Sequence, residues 1–505
     1  MQLILAIDIG TSSTRAGLVD PSLRVHALAS CSYSLSTPYP GWAEQDLDTL
    51  MRALEQAIRE CVGRKPSGGR ILGISLDAAM HSLVPLDEGG HPLAPVWTWA
   101  DMRAAAQAAT LSQDSELAHR LYRATGCPVH AVYYPAKIRW LQEERPELFR
   151  RARTFCSYKG YVLHWLTGVL AEDLAMASAS GLLDVETLRW HPEALAAAGL
   201  KDPGLLPKLV EPKSVAGTLR DELARLWGIE PVPVVAGGTD GPFANVGAGC
   251  VDPGEMAITV GTSSALRMLV DGPKLDRDAR TWCYYLGDGA WITGGAVNGG
   301  GSTLDWLAQS FPGIAGDSLR HQRLDELAES VAPMAEGLIF APYLAGERSP
   351  GWQGTARGYL AGLGLHHRAA HFVRAAMEGI AYQIAWVYES VAESAGEPSR
   401  IRITGGFVGS RVWPQILADV LGRELEVPVN NEGSLLGSAA FGFAAVASSL
   451  DWRALAKEVP IVSRIAPDSA RHRLYRRAFS AYKELYGKVR PLFQTIADLS
   501  HPAGG

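Results

Sequence analysis

The chain is poor in cysteine and has no excess of basic residues. Its 505 residues include six cysteines, with no Cys-x-x-Cys pair and no short Cys/His cluster of metal-ligand spacing. Lysine and arginine number 47 against 53 acidic residues, a formal net charge of −6. This balance argues against proteins that neutralise a nucleic-acid backbone or an anionic membrane, so we expect neither partner. The scattered cysteines predict free thiols in a reducing cytoplasm.

Long apolar runs are also scarce. The N-terminus lacks the basic segment and cleavage site of an export signal and is typical of a strand. Residues 433–450 form an eighteen-residue stretch without a charge, which approaches the length of a membrane span. Four serines and three glycines interrupt this stretch. It therefore favours a close-packed buried helix over a transmembrane helix.

The length and the 47% hydrophobic content predict a globular protein of two or three domains. Strand-like runs at 72–76 and 231–238 alternate with helical periodicity at 103–124 and 137–150. The second half adds a long amphipathic helix over 371–396. This alternation predicts an α/β architecture.

An internal repeat is the most informative feature. Residues 7–13, Ile-Asp-Ile-Gly-Thr-Ser-Ser, recur as Ile-Thr-Val-Gly-Thr-Ser-Ser at 258–264, and in both copies an Asp lies ten residues beyond the Gly. Each copy predicts a strand, a tight glycine turn, a second strand, a polar reverse turn and a third strand. Coincidence is the alternative, but the matched flanks favour two similar halves that meet near residue 245.

The first turn has the composition of a phosphate-binding loop. Asp8 ends a strand, and the hydroxyls of Thr11, Ser12 and Ser13 precede the guanidinium of Arg15. Backbone N–H groups in such a turn form an anion-binding concavity, and the neighbouring Asp is suited to Mg²⁺ held through water. Neither a Walker-type P-loop nor a Gly-x-Gly-x-x-Gly dinucleotide motif is present. A hairpin with a polar tip is the alternative.

The second copy strengthens the phosphate interpretation. Its turn contains Gly261 and Thr262, so the pair of turns predicts two phosphate clamps that face each other across a cleft. Gly301 ends a run of three glycines, and Gly405 and Gly406 follow a strand and open a helix. Such glycines permit close backbone approach to a flat or anionic group, although tight connections explain them equally.

Four further residues are candidates for catalysis or ligand binding. Asp240 follows a buried strand that ends in two glycines, which places it where ligands bind in open α/β sheets; a turn Asp is the alternative. Met80 and His81 follow another buried strand, and Trp99 comes soon after. Aromatic faces with convergent polar groups suit a polyhydroxylated ligand. Singly, His81 is explained as well by a structural role, and Trp99 by the core.

Together these motifs resemble the FGGY family of carbohydrate kinases, within the actin and hexokinase class of ATP-binding folds. The resemblance extends from Asp8 to about residue 447. Residues 358–378 match the C-terminal signature of the family in full. Residues 137–144 match its other signature, although Pro135 lies one position closer to the lysine than is usual.

The resemblance implies a two-domain α/β fold of the actin/hexokinase (ribonuclease H-like) type with an interdomain cleft. Its N-terminal domain, 1–243, would hold the sugar side, the first phosphate loop and the catalytic Asp. Its C-terminal domain, 244–505, would hold the second phosphate loop and the adenosine side. Residues 75–82 and 177–182 are most similar to gluconate kinases, whereas xylulose kinases more often have Gln in place of Ala79.

The implied activity is ATP- and Mg²⁺-dependent phosphorylation of a terminal hydroxyl, converting D-gluconate to 6-phospho-D-gluconate. A ketopentose such as xylulose, or a polyol, is the alternative substrate. Asp240 would be the catalytic base in contact with the substrate, and Asp8 the Mg²⁺-associated carboxylate. The residues that match the ATP-binding loops of the family are Thr11, Ser12, Ser13, Arg15, Gly261, Thr262, Gly405 and Gly406. Met80 and His81 match a substrate-side segment.

An ATP-driven conformational switch of the actin or chaperone type is the alternative from another class, because it shares the fold. A nicotinamide dehydrogenase would need a fingerprint that the sequence lacks. In the kinase interpretation the domains would close about a hinge near 241–254 and exclude water. A homodimer is the default expectation for such an enzyme. No pattern indicates which basic residue would bind a substrate carboxylate.

Overall fold

Strands and helices alternate through the N-terminal half as predicted. The computed structural model describes residues 1–311, 320–429, 432–447 and 449–499. The strands of this half are β1 Gln2–Ile9, β2 Ser13–Val19, β3 Val25–Ser32, β4 Glu44–Gln45, β5 Arg70–Ala78, β6 Val84–Leu86, β7 Val96–Trp97, β8 Thr154–Cys156, β9 Ala171–Asp173, β10 Lys208–Val210, β11 Val215–Thr218 and β12 Pro233–Thr239. Its helices are α1 Leu47–Gly63, α2 Ala105–Gln113, α3 Ser115–Thr125, α4 Tyr134–Glu144, α5 Pro146–Arg151, α6 Tyr158–Thr167, α7 Leu174–Ser178, α8 Pro192–Ala197, α9 Asp221–Trp227 and α10 Asp240–Gly247.

The C-terminal half repeats this alternation. Its strands are β13 Glu255–Val260, β14 Ser264–Val270, β15 Trp282–Gly287, β16 Ala290–Val297, β17 Ile339–Ala341, β18 Tyr359–Ala361, β19 Arg400–Thr404, β20 Leu425–Pro428 and β21 Ile461–Ile465. Its helices are α11 Gly301–Ser310, α12 Arg320–Glu329, α13 Ala369–Ala395, α14 Trp413–Leu421, α15 Gly433–Val446, α16 Trp452–Lys457, α17 Ser469–Val489 and α18 Phe493–Leu499.

Each half is built around one mixed sheet. The strand orders are β11-β12-β5-β1-β2-β3 in the first sheet and β15-β16-β14-β13-β19-β20-β21 in the second. The first strand of each predicted repeat pairs antiparallel with its hairpin partner on one side: β1 with β2, and β13 with β14. On the other side it pairs parallel with a later strand, β5 or β19. The predicted α/β chain of two similar halves is therefore confirmed.

The third strand of the repeat differs between the halves. In the first half β3 follows β2 through a short turn, in which the Asp20 N–H donates to the Arg24 carbonyl at 3.1 Å, and pairs with it as predicted. In the second half β15 comes next along the chain, but it pairs only with β16, and β16 lies beside β14. The predicted succession of strands is present, but a longer loop replaces the reverse turn. A loop at 271–281, anchored by Arg280 on Asp276, leads the chain past the position next to β14.

Two predicted helices are each interrupted once. The helical pattern at 103–124 breaks at Asp114, whose side chain caps the next helix. The pattern at 137–150 breaks before Pro146, because proline removes a backbone donor and disfavours helical geometry in the residue before it. The long helix predicted over 371–396 is present as α13.

The two halves are joined where α10 and α15 cross. Within the uncharged stretch at 433–450, residues 433–446 form the buried helix α15. In the described part of the chain no helix is long and apolar enough to cross a membrane. A Cβ on Gly437 would lie 2.3 Å from the Phe243 carbonyl oxygen, and one on Gly247 would lie 2.0 Å from that of Gly433. These glycines let the two backbones touch.

The predicted border between residues 243 and 244 falls inside α10, and the division of the domains stays a prediction. One hydrophobic cluster contains buried side chains of both halves, such as Ile4 and Val246 with Tyr284 and Phe441. The strand ends that lead into the candidate site are therefore fixed by a shared core.

Candidate functional site

Three carboxylates meet where the strands of the first sheet end. Asp8 and Asp77 lie opposite each other in the parallel pair β1 and β5, and they are 1% and 0% exposed. Asp240 begins α10 directly after β12, and its Oδ1 accepts the Gly241 N–H at 2.8 Å. The two predicted carboxylates thus share one site with a third, Asp77, that the sequence analysis did not select.

Burial and mutual repulsion perturb these acids. Burial raises the pKa of Asp240 to about 6, and the negative charge of Asp8 adds to the shift. Burial raises the pKa of Asp77 well above its usual range, with Asp8 as the next cause. Neither oxygen of Asp77 has a hydrogen-bond partner within the described residues. A buried carboxylate in this state is stabilised by a cation or a proton.

Asp8 is connected to the C-terminal half. Its Oδ2 accepts from the Arg15 guanidinium at 2.5 Å and from the Ser434 hydroxyl at 2.8 Å. The same guanidinium pairs with Glu432 at 2.7 Å, just before α15. In this conformation Arg15, predicted to contact phosphate, instead links the two halves; its role toward ATP stays a prediction.

The first hairpin turn contacts the predicted sugar side. The Gly10 N–H donates to the Ser13 carbonyl at 2.9 Å, which closes the turn, and Ser12 is exposed at its tip. The Thr11 hydroxyl accepts the Trp99 indole N–H at 2.8 Å. The same Thr11 thus couples the predicted phosphate loop to a predicted substrate residue, while Ser12 and Ser13 complete the turn.

The second hairpin turn is packed by glycines. The Gly301 N–H donates to the Gly261 carbonyl at 2.7 Å, at the start of α11, and Thr262 is exposed beside it. Gly405 has a φ of +100°, and a Cβ there would lie 2.3 Å from the Val260 carbonyl oxygen. Gly406 faces open space, since no atom lies within 4 Å of its Cβ position. The predicted residues of this loop converge, with room for a flat or anionic group.

The sugar side contains a strained histidine. His81 has a φ of 65°, and its Nδ1 lies 2.7 Å from the Ala179 carbonyl oxygen. Burial lowers the pKa of His81 to about 3, so the ring is neutral, with Nδ1–H as donor and Nε2 as acceptor. The Lys137 ammonium holds the His81 backbone carbonyl at 2.6 Å. The Met80 methyl lies next to Gly241, which directly follows Asp240.

No sequence pattern pointed to two arginines near these residues, the buried Arg267 and the half-buried Arg348. On β14, Arg267 donates to Asn245 and Thr259 and is electrostatically coupled to Asp240. Arg348 lies over the Trp99 ring at 5.1 Å. In the sequence, Arg348 belongs to the segment Gly-Glu-Arg-Ser-Pro, in which a charged pair lies between a glycine and a Ser-Pro. Asp77 lies at the end of a buried strand, as Asp8 does, and Asp240 directly follows one.

Part of the C-terminal signature has a structural role. Arg374 and Glu378 form a buried ion pair at 2.7 Å within α13, and the Tyr475 hydroxyl of α17 bonds to both. The Met334 N–H also donates to Glu378. These contacts fasten α13 to α17.

The carboxylates fit a divalent cation only in part. Within the described residues no three His, Cys, Asp or Glu side chains form a closed metal site. Asp8 and the unpartnered Asp77 supply two adjacent carboxylates, which suits Mg²⁺, since this ion keeps several waters and takes other ligands from substrate phosphates. The residues present therefore fit an ion that arrives with a nucleotide.

Comparisons with known proteins agree with this geometry. Residues 3–247 match the FGGY family of carbohydrate kinases, N-terminal domain, and residues 256–446 match its C-terminal domain. A gluconokinase of Bacillus licheniformis is 35% identical over 98% of both chains. A xylulose kinase of Klebsiella pneumoniae is 30% identical over 97% of this chain and 100% of its own.

Solved structures give the same picture. A gluconate kinase and a ligand-bound xylulose kinase, both from Lactobacillus acidophilus, superpose with a TM-score of 0.92 at 28% identity. Each comparison covers 98% of this chain, with 99% of the first and 100% of the second. The two-domain fold of these kinases is therefore the fold of this chain.

Proposed function

Because the chain belongs to the FGGY family of carbohydrate kinases and is an ATP-dependent sugar kinase, we propose that its substrate is a sugar acid, D-gluconate, phosphorylated at its terminal hydroxyl. The higher identity to gluconokinases than to xylulose kinases supports this choice. The structural observation that supports it is a pair of arginines, the buried Arg267 beside Asp240 and the half-buried Arg348 over Trp99. Within the described residues neither forms an ion pair with a carboxylate, so an anionic ligand would balance their charge.

Asp240 is proposed as the general base. An alcohol is a weak nucleophile at neutral pH, so its proton passes to a carboxylate as the oxygen bonds to the γ-phosphorus and ADP leaves. With a pKa raised to about 6, Asp240 is ionised at pH 7 yet more basic than an exposed aspartate. The Gly241 N–H donates to its Oδ1 and orients the carboxylate.

The glycine turns position the phosphates. Backbone N–H groups of the turns at 10–12 and 261–262 are proposed to hold the phosphate oxygens, and Gly405 and Gly406 the adenosine side. Mg²⁺ beside Asp8 would neutralise charge on the transferred phosphoryl group. His81, with Nε2 as acceptor, and Trp99 are proposed to hold the sugar chain.

A ketopentose is the second candidate substrate, because curated xylulose kinases are up to 30% identical over nearly the whole chain. A coupled assay of ADP release with gluconate, xylulose, ribulose and glycerol tests the proposal. We expect kcat/KM to be highest for gluconate by at least tenfold. A higher value for xylulose would assign the chain to the second candidate.

A further inference from the structure

Among the residues that the structure describes, Arg348 is held in place by neutral groups and has no ion-pair partner. It lies in the loop between β17 and β18, where its Nε donates to the Asn298 side chain at 2.8 Å and its Nη2 to the Val297 carbonyl at 3.3 Å. Its guanidinium lies over Trp99. Nη1 has no hydrogen-bond partner in the described part of the chain. Neutral groups therefore orient the Arg348 guanidinium, and its Nη1 is available for a ligand.

In the part of the chain that the structure describes, the titratable groups that interact with Arg348 include no anion. Those electrostatically coupled to it are the phenols of Tyr133 and Tyr284, which bond to each other at 2.7 Å, and the imidazoles of His81 and His130. The pKa of both phenols lies well above the usual range and that of both imidazoles lies low, so all four groups are neutral.

Two other buried basic side chains nearby have partners. Burial lowers the pKa of Lys137 to about 7, and its amine donates to two backbone carbonyls, those of His81 and Thr98. Arg103 is paired with Asp101 and Glu44. An unpaired guanidinium in a low-dielectric site is costly, and an ionised ligand would offset that cost.

We propose that Arg348 binds the carboxylate of the sugar acid through Nη1, with the polyol chain against Trp99 and His81. This inference rests on the proposed function. It assigns the other end of the substrate to Arg267, which interacts electrostatically with Asp240 and has its Nη1 beside Gly241. The carboxylate then lies at Arg348, and the hydroxyl that receives the phosphoryl group lies at Asp240.

The test compares gluconate with D-glucitol, which has a neutral CH₂OH in place of the carboxylate. Arg348→Gln removes the charge and keeps part of the hydrogen-bonding capacity. Arg357→Gln is the matched control, because it removes a charge from the same loop, where the partners of Arg357 among the described residues are the nearby carbonyls of Gly354 and Ala356. For each variant we would measure kcat and KM for gluconate, and dissociation constants for gluconate, glucitol and MgATP by calorimetry.

The expected result is specific to charge. A charged hydrogen bond corresponds to about a 10- to 100-fold change in affinity, so Arg348→Gln should weaken gluconate binding by that factor. The loss should appear in KM more than in kcat. The affinities for glucitol and MgATP should change less than threefold, and Arg357→Gln should match the wild type.

An equal loss for gluconate and MgATP would show a structural role, and an unchanged gluconate affinity would show no role; either overturns the inference. If Arg348→Gln does not fold, Arg348→Lys provides the test. A lysine keeps the charge but not the planar fork, so it should bind gluconate more weakly than wild type, with MgATP unaffected. Failure of the wild type to use gluconate would instead overturn the proposed function.

Discussion

Gly437→Ala is expected to disturb the active site although it lies on the other half of the molecule. Gly437 is in α15, and an added Cβ would lie 2.3 Å from the Phe243 carbonyl oxygen in α10. Ordinary contact begins near 3.4 Å, so the helices must separate by roughly 1 Å. Asp240 is at the start of α10, and Ser434, which bonds to Asp8, is near the start of α15.

The magnitude follows from two opposing effects. Overpacking a close contact costs about 1–3 kcal/mol, and the better helix propensity of alanine returns at most about 1 kcal/mol. We expect a net loss of ~1–2 kcal/mol. A displacement of roughly 1 Å at a catalytic group costs up to about 10²-fold in rate, so kcat should fall by ~10- to 100-fold.

The assay pairs urea denaturation with kcat at saturating ATP and sugar. Gly487→Ala in α17 is the matched control, since no atom lies within 4 Å of its Cβ position. This variant should be fully active and up to ~1 kcal/mol more stable. If Gly437→Ala keeps the denaturation midpoint and kcat of wild type, direct backbone contact between α10 and α15 does not position Asp240.

Three further outcomes are expected. Asp240→Asn should lower kcat by about 10²–10⁴-fold and leave the KM for ATP within about threefold; full turnover in steady-state assays would remove Asp240 as the base. Because the pKa of Asp240 is raised to about 6 and the ionised form is active, kcat/KM should be constant above pH 7. Well below pH 6, kcat/KM should fall tenfold for each unit of pH. A pH profile of kcat/KM that stays flat down to about pH 4.5 would contradict this. Arg374→Met should lower the free energy of unfolding in urea by ~3–5 kcal/mol, because it leaves Glu378 charged and buried. Adding Glu378→Leu should restore most of this loss. If the single variant and wild type have the same denaturation midpoint, the ion pair does not stabilise the fold.

Local features of the fold were predictable because they depend on neighbours in the chain. Glycine turns after β-branched runs specify the hairpins at 10–12 and 261–262, and the repeat of that pattern predicts two similar halves. Small residues at 433–450 predict a buried helix for the same reason. The pairing of the strand that follows β14 was not predictable, since the order of strands in a sheet depends on which strands meet in space.

In the site, the sequence by itself determined the residues that end strands or form turns, such as Asp8, Asp240 and Gly261, because strand ends converge at one sheet edge. Only the tertiary structure decided what surrounds them. The Arg15 ion pair with Glu432 and the position of Arg348 over Trp99 join residues hundreds of positions apart. Such contacts are set by the packing of the two halves, and no local pattern specifies them.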